Sequence, residues 1–200
     1  MPGMAGRRTQ AERTATTRAV LLDAALSCLV EFGYAGTTTT VVAERAGVSR
    51  GAQLHHFPTK QELLVAAVQH LFDRRRDQFR KAFADIPPGV DRIDAAIDLL
   101  WSTFGDDGFA AWLELEVAAR TDDELRPIVS ELGRQFMEEN GEVFAEIFPG
   151  ADPFALRFAF TLMDGLALNQ LCHADQAEVG QTLTALKSLA HLAFSPGEEP

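Results

Sequence analysis

Apolar residues recur at three- and four-residue steps through most of this chain, and the rhythm breaks mainly at glycine, proline and hydroxyl-bearing residues. Between Thr17 and Phe32, Leu22, Ala25, Leu26 and Leu29 fall at i, i+3, i+4 and i+7. This predicts a helix with one buried face, stopped at Gly33. Thr38 is placed to cap a short helix through Ala46, which Gly47 ends because it has no Cβ to oppose a positive φ. Ser49 caps the next helix, Arg50 to Phe57, and Pro58 stops it. Thr59 with Glu62 is a capping-box pattern, so a longer helix begins at Lys60. Beyond it the pattern predicts helices over about 60–84, 91–104, 108–120, 122–147, 153–173 and 177–194. The expected fold class is all-α with about nine helices: a three-helix N-terminal head followed by a helical bundle, with Gly89, Gly105, Gly108 and Pro153 in short connections between antiparallel neighbours.

Helices of eight residues do not survive alone in water, where about 12–15 residues are marginal, so the two short ones must pack. Val42, Ala43, Ala46, Val48, Leu54 and Phe57 are expected to form the seam between them, with the upstream helix receiving it and Tyr34 folding back onto this small core. Two stubby helices across a glycine turn, followed by a third helix start, are how a chain builds a helix-turn-helix, which makes DNA the first partner to consider.

Charge sharpens that division. Residues 1–60 carry seven basic against four acidic groups, whereas the other 140 carry eleven against 25. The chain's net −11 would argue against nucleic acid, but a local basic face sets the phosphate attraction, and an acidic remainder would orient the docking end. With 46% apolar residues in 200, the chain can bury a sizeable core unaided, so Cys28 and Cys172 are expected as core fillers. Arg18 followed by AVLLDAALSC superficially suggests a signal peptide, yet Asp23 interrupts it and the helical pattern runs on through Glu31. No uninterrupted apolar run approaches the ~18–20 residues of a membrane span, so the expectation is a cytoplasmic protein with no membrane partner.

The stretch FGYAGTTTTVVAERAGVSRGAQLHHFPTKQELL resembles the N-terminal DNA-binding domain of the TetR family of bacterial transcriptional regulators, from about Thr16 to Leu64. The remainder resembles the family in length and helical texture, including the phrase WLELEVAARTDDELR. The resemblance implies a flexible basic arm over 1–15, a helix-turn-helix domain over 16–62 and a ligand-binding and dimerisation domain over 63–196. It further implies that Arg50 to His56 form the recognition helix in the major groove. Ser49 and Arg50 would then stand at its leading end, Arg50 facing guanine or a phosphate, while Gly51 and Ala52 let the backbone approach the groove floor. Thr38, Thr39 and the amides behind them would hold one phosphate and Lys60 another. The family pattern G-x-L-Y-x-H-F is altered here: Gln53 and Leu54 take the third and fourth places, and the tyrosine that usually touches a phosphate is missing. Gln53 carries an amide able to pair with adenine, in a place that usually faces inward, and His55 and His56 are further candidate contacts.

A regulator of this kind implies a palindromic operator, a second copy and a small-molecule effector. Phe158, Leu162, Gly165, Leu166 and Asn169 recur at helical steps in one C-terminal helix, and Leu183, Leu186, Leu189, Ala190 and Ala193 in the next, which predicts a dimer seam. Phe83, Trp101, Phe104, Trp112, Phe136, Met137, Phe144 and Met163 are candidates to line an apolar effector cavity, with Glu114 and Asn169 as polar contributors. Asp164 and Asn169 would serve either a ligand or the dimer seam. No metal motif, cofactor motif or glycine-elbow nucleophile is recognisable, so no cofactor, metal or catalysis is expected. The alternatives are a DNA-binding protein without an inducer, or an all-α enzyme or metal carrier.

Overall fold

The computed structural model describes residues 9–104, 107–173 and 176–194, and among these it contains nine helices and no strand. They are α1 (Gln10–Gly36), α2 (Thr39–Ala46), α3 (Arg50–His56), α4 (Lys60–Ala84), α5 (Arg92–Phe104), α6 (Asp107–Ala119), α7 (Leu125–Ile147), α8 (Pro153–His173) and α9 (Gln176–Phe194). Residues 1–8 of the expected arm and Gly105 lie outside the described residues. Residues 10–15, expected in that arm, are helical instead, because Thr9 and Glu12 close a reciprocal capping box: the Glu12 amide donates to the Thr9 hydroxyl, and the Thr9 amide donates to the Glu12 carboxylate.

The other boundaries follow equally local causes. Gly33 sits at φ 66, ψ 178 and breaks α1, after which the chain turns back for one more turn to Gly36. The Thr38 hydroxyl accepts from the Val41 amide, Gly47 adopts the left-handed conformation, and the Ser49 hydroxyl accepts from the Ala52 amide. The Thr59 hydroxyl accepts from the Glu62 amide at the start of α4. Asp122 accepts from the Glu124 and Leu125 amides, which moves the start of α7 beyond the expected residue 122.

The chain divides into two compact units. The first, the head, comprises Ala110–Val129 and the described part of Met1–Leu71; the second, the body, comprises the described parts of Phe72–Phe109 and Ser130–Pro200. The head therefore extends past the expected limit at residue 62. Leu63, Leu64, Ala67 and Val68 are completely buried in it, as are Leu115 and Leu125. Helix α1 packs on α2 and α2 on α3, around Leu21, Leu22, Ala25, Leu29, Val42, Ala43 and Phe57. An 18-residue window of α1 reaches a mean hydropathy of 1.5, which matches a membrane span by composition. The buried Leu21–Leu29 face packed on α2 accounts for that apolarity as a core helix.

Two expectations for the apolar seam and core are corrected. Leu54 is 43% exposed: Gln53 and Phe57 take the inward positions of α3, and the next residue along a helix is turned about 100° away. Cys28 is buried, and burial pushes its thiol pKa up, but Cys172 is exposed on α8 and fills no core.

In the body, α5 packs on α8 and α9, and α8 on α9, around Ile97, Met163 and Leu186. A chain of rings runs from Phe72 to Phe136 at 4.2 Å, on to Phe160 at 5.3 Å and to Phe104 at 5.8 Å. Arg76 pairs with Glu139 and Arg80 with Glu146, joining the body's part of α4 to α7.

Candidate functional site

The outward face of α3 presents Arg50, Gly51, Leu54 and His55, all exposed, with Ala52 and His56 half-buried. Nothing in the fold requires glycine at position 51: an added Cβ would meet nothing within 4 Å. The rings of His55 and His56 meet edge to face at 5.7 Å. Thr38 and Ser49 are exposed with their hydroxyls already engaged as helix caps, and Thr39 is half-buried.

Two expected DNA contacts already have partners within the head. Gln53 is fully buried, and its Nε2 donates to the Phe57 carbonyl at 2.8 Å, so the side chain braces the end of α3 instead of reading adenine. Its Oε1 is buried without a partner, a situation that costs about 1–3 kcal/mol. Gln53→Leu is therefore expected to raise thermal stability by about 1 kcal/mol while leaving DNA sequence preference unchanged, because the lost bond is worth less than the relieved orphan oxygen. Melting curves and binding isotherms of the variant check both halves. Lys60 is half-buried, its ammonium donates to the Tyr34 carbonyl at 2.5 Å and lies 4.1 Å from the Tyr34 ring centre, and burial pushes its pKa down. Pinning Tyr34 uses one N–H of the ammonium, and its remaining donors suit the expected phosphate contact.

Two head contacts escaped the sequence reading. The Thr37 hydroxyl, fully buried, donates to the Gly33 carbonyl at 2.8 Å. Glu114, expected at an effector cavity, lies in the head, where its Oε2 accepts from the Tyr34 amide at 2.8 Å. The signal available beforehand was the backbone itself, since a chain breaking at Gly33 leaves an amide that needs an acceptor.

The body contains an apolar cavity of about 420 Å³. Its wall includes Phe79, Ile97, Val143, Phe144, Phe160 and Leu186, and its polar residues are Asn140 and Asp152. Of the residues expected to line a cavity, Phe144 does so. The others have different partners. Phe83 is buried between Phe79 and Phe148 with the Arg92 guanidinium 4.2 Å from its ring centre, and Phe104 and Phe136 belong to the ring chain. Met163 is core, Trp101 packs on that core, and half-buried Met137 does not reach the cavity. Trp112 lies in the head with Glu114, and the Asn169 amide donates to Glu178 at 3.2 Å.

The expected dimer seam divides in two. Leu166 and Leu186 are buried within the body, Leu162 and Leu183 are half-buried against its core, and Phe158, Leu186 and Ala190 line the cavity. Among the described residues, the large apolar side chains that α8 and α9 leave open are Phe154, Phe158, Leu168, Leu171, Leu189 and Leu192, of which Phe154, Phe158 and Leu189 also border the cavity, and Gly165 lies exposed among those of α8. Between α5 and α9, His191 Nε2 lies 3.0 Å from Asp94 and 3.5 Å from Asp91. Asp91 already accepts the Asp94 and Ile93 amides as the cap of α5, which pulls its pKa down, and His191 joins this cap through its contact with Asp94.

The family model "Bacterial regulatory proteins, tetR family" matches residues 21–67, and "Tetracyclin repressor-like, C-terminal domain" matches residues 89–190. The chain is 47% identical over 120 residues to the HTH-type transcriptional regulator CymR of Pseudomonas putida, covering 60% of this chain and 59% of that protein. Among solved structures, a TetR-family transcriptional regulator from Rhodococcus sp. superposes with a TM-score of 0.71 at 22% identity, covering 90% of this chain and all of that one. The multidrug binding protein EbrR complexed with ethidium is 26% identical with a TM-score of 0.63, covering 86% of this chain and 98% of that one.

Proposed function

The chain belongs to the TetR family of helix-turn-helix transcriptional regulators, and from that premise we propose that it is a homodimeric repressor, released from an inverted-repeat operator by a small, largely apolar effector. The observation that carries this reading is the open face of α3, where Arg50, Gly51, Leu54 and His55 stand outward on a helix held by caps at both flanks. One such helix reads few base pairs; two related by symmetry read a palindrome and multiply discrimination. The apolar residues left open on α8 and α9 supply a surface for the second copy.

The effector reading is supported by the cavity, whose about 420 Å³ falls within the usual ~300–1,000 Å³ of small-molecule sites. That a related multidrug binding protein is complexed with ethidium favours the same type of guest here. An effector that prefers the DNA-free arrangement by ~1.4 kcal/mol weakens operator affinity tenfold through linkage. Helices α4, α6 and α7 each contribute residues to both units, so the chain itself carries the coupling. The role is regulatory rather than catalytic, exercised in the cytoplasm, where the DNA lies.

Arg50→Ala tests the DNA assignment. It is expected to cost about 1–3 kcal/mol of operator affinity and to relax base preference at one position per half-site, with dimerisation intact. Unchanged retention of a selected operator fragment by the variant would refute the assigned surface.

A further inference from the structure

We propose that Leu54 is a specificity-determining residue that reads the 5-methyl group of a thymine; this rests on the assignment of α3 as the recognition helix. A lone exposed leucine is ordinary on a protein surface, so its 43% exposure alone decides nothing. Its position decides. Arg50, Gly51, Leu54 and His55 make one outward face, and Leu54 is the apolar side chain among them.

In the major groove the apolar feature on offer is the thymine methyl, whereas the other bases present hydrogen-bonding edges there. An isobutyl group against N7, O6 or an amino group would desolvate those atoms without replacing their bonds, which penalises a wrong base as well as rewarding the right one. Leucine is short, so the helix must come close to the groove floor to use it. Gly51, one turn back on the same face, permits that approach in a place where the fold itself leaves room for a larger residue. Arg50 and Leu54 are one turn apart, about 6 Å along the axis, against a rise of about 3.4 Å per base pair. The thymine therefore lies one or two base pairs from the base that Arg50 contacts.

The experiment uses the full-length protein and DNA selected by it from a random pool. Each thymine of the selected site is replaced in turn by deoxyuridine, which lacks only the 5-methyl group, and affinities are measured for the wild type, Leu54→Ala and His55→Ala. The wild type should weaken about four-fold at one thymine per half-site, the size of one buried methyl group. His55→Ala should keep that loss at the same thymine, and Leu54→Ala should abolish it. Tolerance of every deoxyuridine by the wild type, or an equal loss in Leu54→Ala, would overturn the proposal while leaving DNA binding standing. Failure to enrich any sequence would overturn the recognition-helix assignment itself, and this proposal with it. Because Leu54 stands among the exposed residues of α3 and outside the buried core, circular dichroism of Leu54→Ala should match the wild type.

Discussion

Gly33→Ala is expected to destabilise the head by about 3 kcal/mol, a large share of the ~5–15 kcal/mol that holds a domain together. Two causes add. With φ 66 and ψ 178, Gly33 occupies a region that is essentially glycine's alone, and another residue there costs about 1–3 kcal/mol. An added Cβ would also stand 2.8 Å from Glu114 Oε2 and 3.3 Å from its Cδ. A carboxylate at the end of a flexible chain can move aside, but this one accepts the Tyr34 amide, and leaving that part-buried amide unpaired costs about 1–3 kcal/mol more. Urea unfolding followed by circular dichroism measures the total. Glu114→Ala isolates the second cause and should show the smaller loss. If Gly33→Ala matched the wild type, the kink would not be the constraint described.

The second large effect concerns self-association. Leu171→Glu combined with Leu192→Glu should leave each chain folded, since these side chains are already 55% and 77% exposed, yet convert the dimer to a monomer. Losing the second recognition helix removes the avidity of a linked pair, about 100-fold or more in operator affinity. Light scattering reads the mass and fluorescence anisotropy reads the DNA. A double variant that stayed dimeric would place the interface elsewhere.

The helices were legible in the sequence wherever a residue's own chemistry sets the backbone. Thr38, Gly47, Ser49 and Pro58 mark ends that depend on a hydroxyl, a missing Cβ or a missing amide hydrogen, and the bounds of α2 and α4 match the expected ones. The start of α1 was missed because Thr9 and Glu12 precede the first apolar repeat, so periodicity gives no sign of them. The cavity was far less legible. Aromatic residues carry the same signal whether they meet each other, as Phe72 and Phe136 do, or leave space between helices, as Phe144 does; only the packing separates the two. Gln53 shows the reverse case: its polarity suggested an outward role, but its register on a seven-residue helix places it inside.

Ile97 and Leu186 belong both to the wall of the cavity and to the body's core, so a guest seated there tightens the packing that keeps the body folded. On the effector reading, the molecule that lifts repression also slows the repressor's proteolytic loss, since degradation follows the unfolded fraction. Regulator would then accumulate during induction. When the inducer is withdrawn, genes would shut off faster than they would at a constant regulator level, a memory written in protein abundance rather than in DNA occupancy.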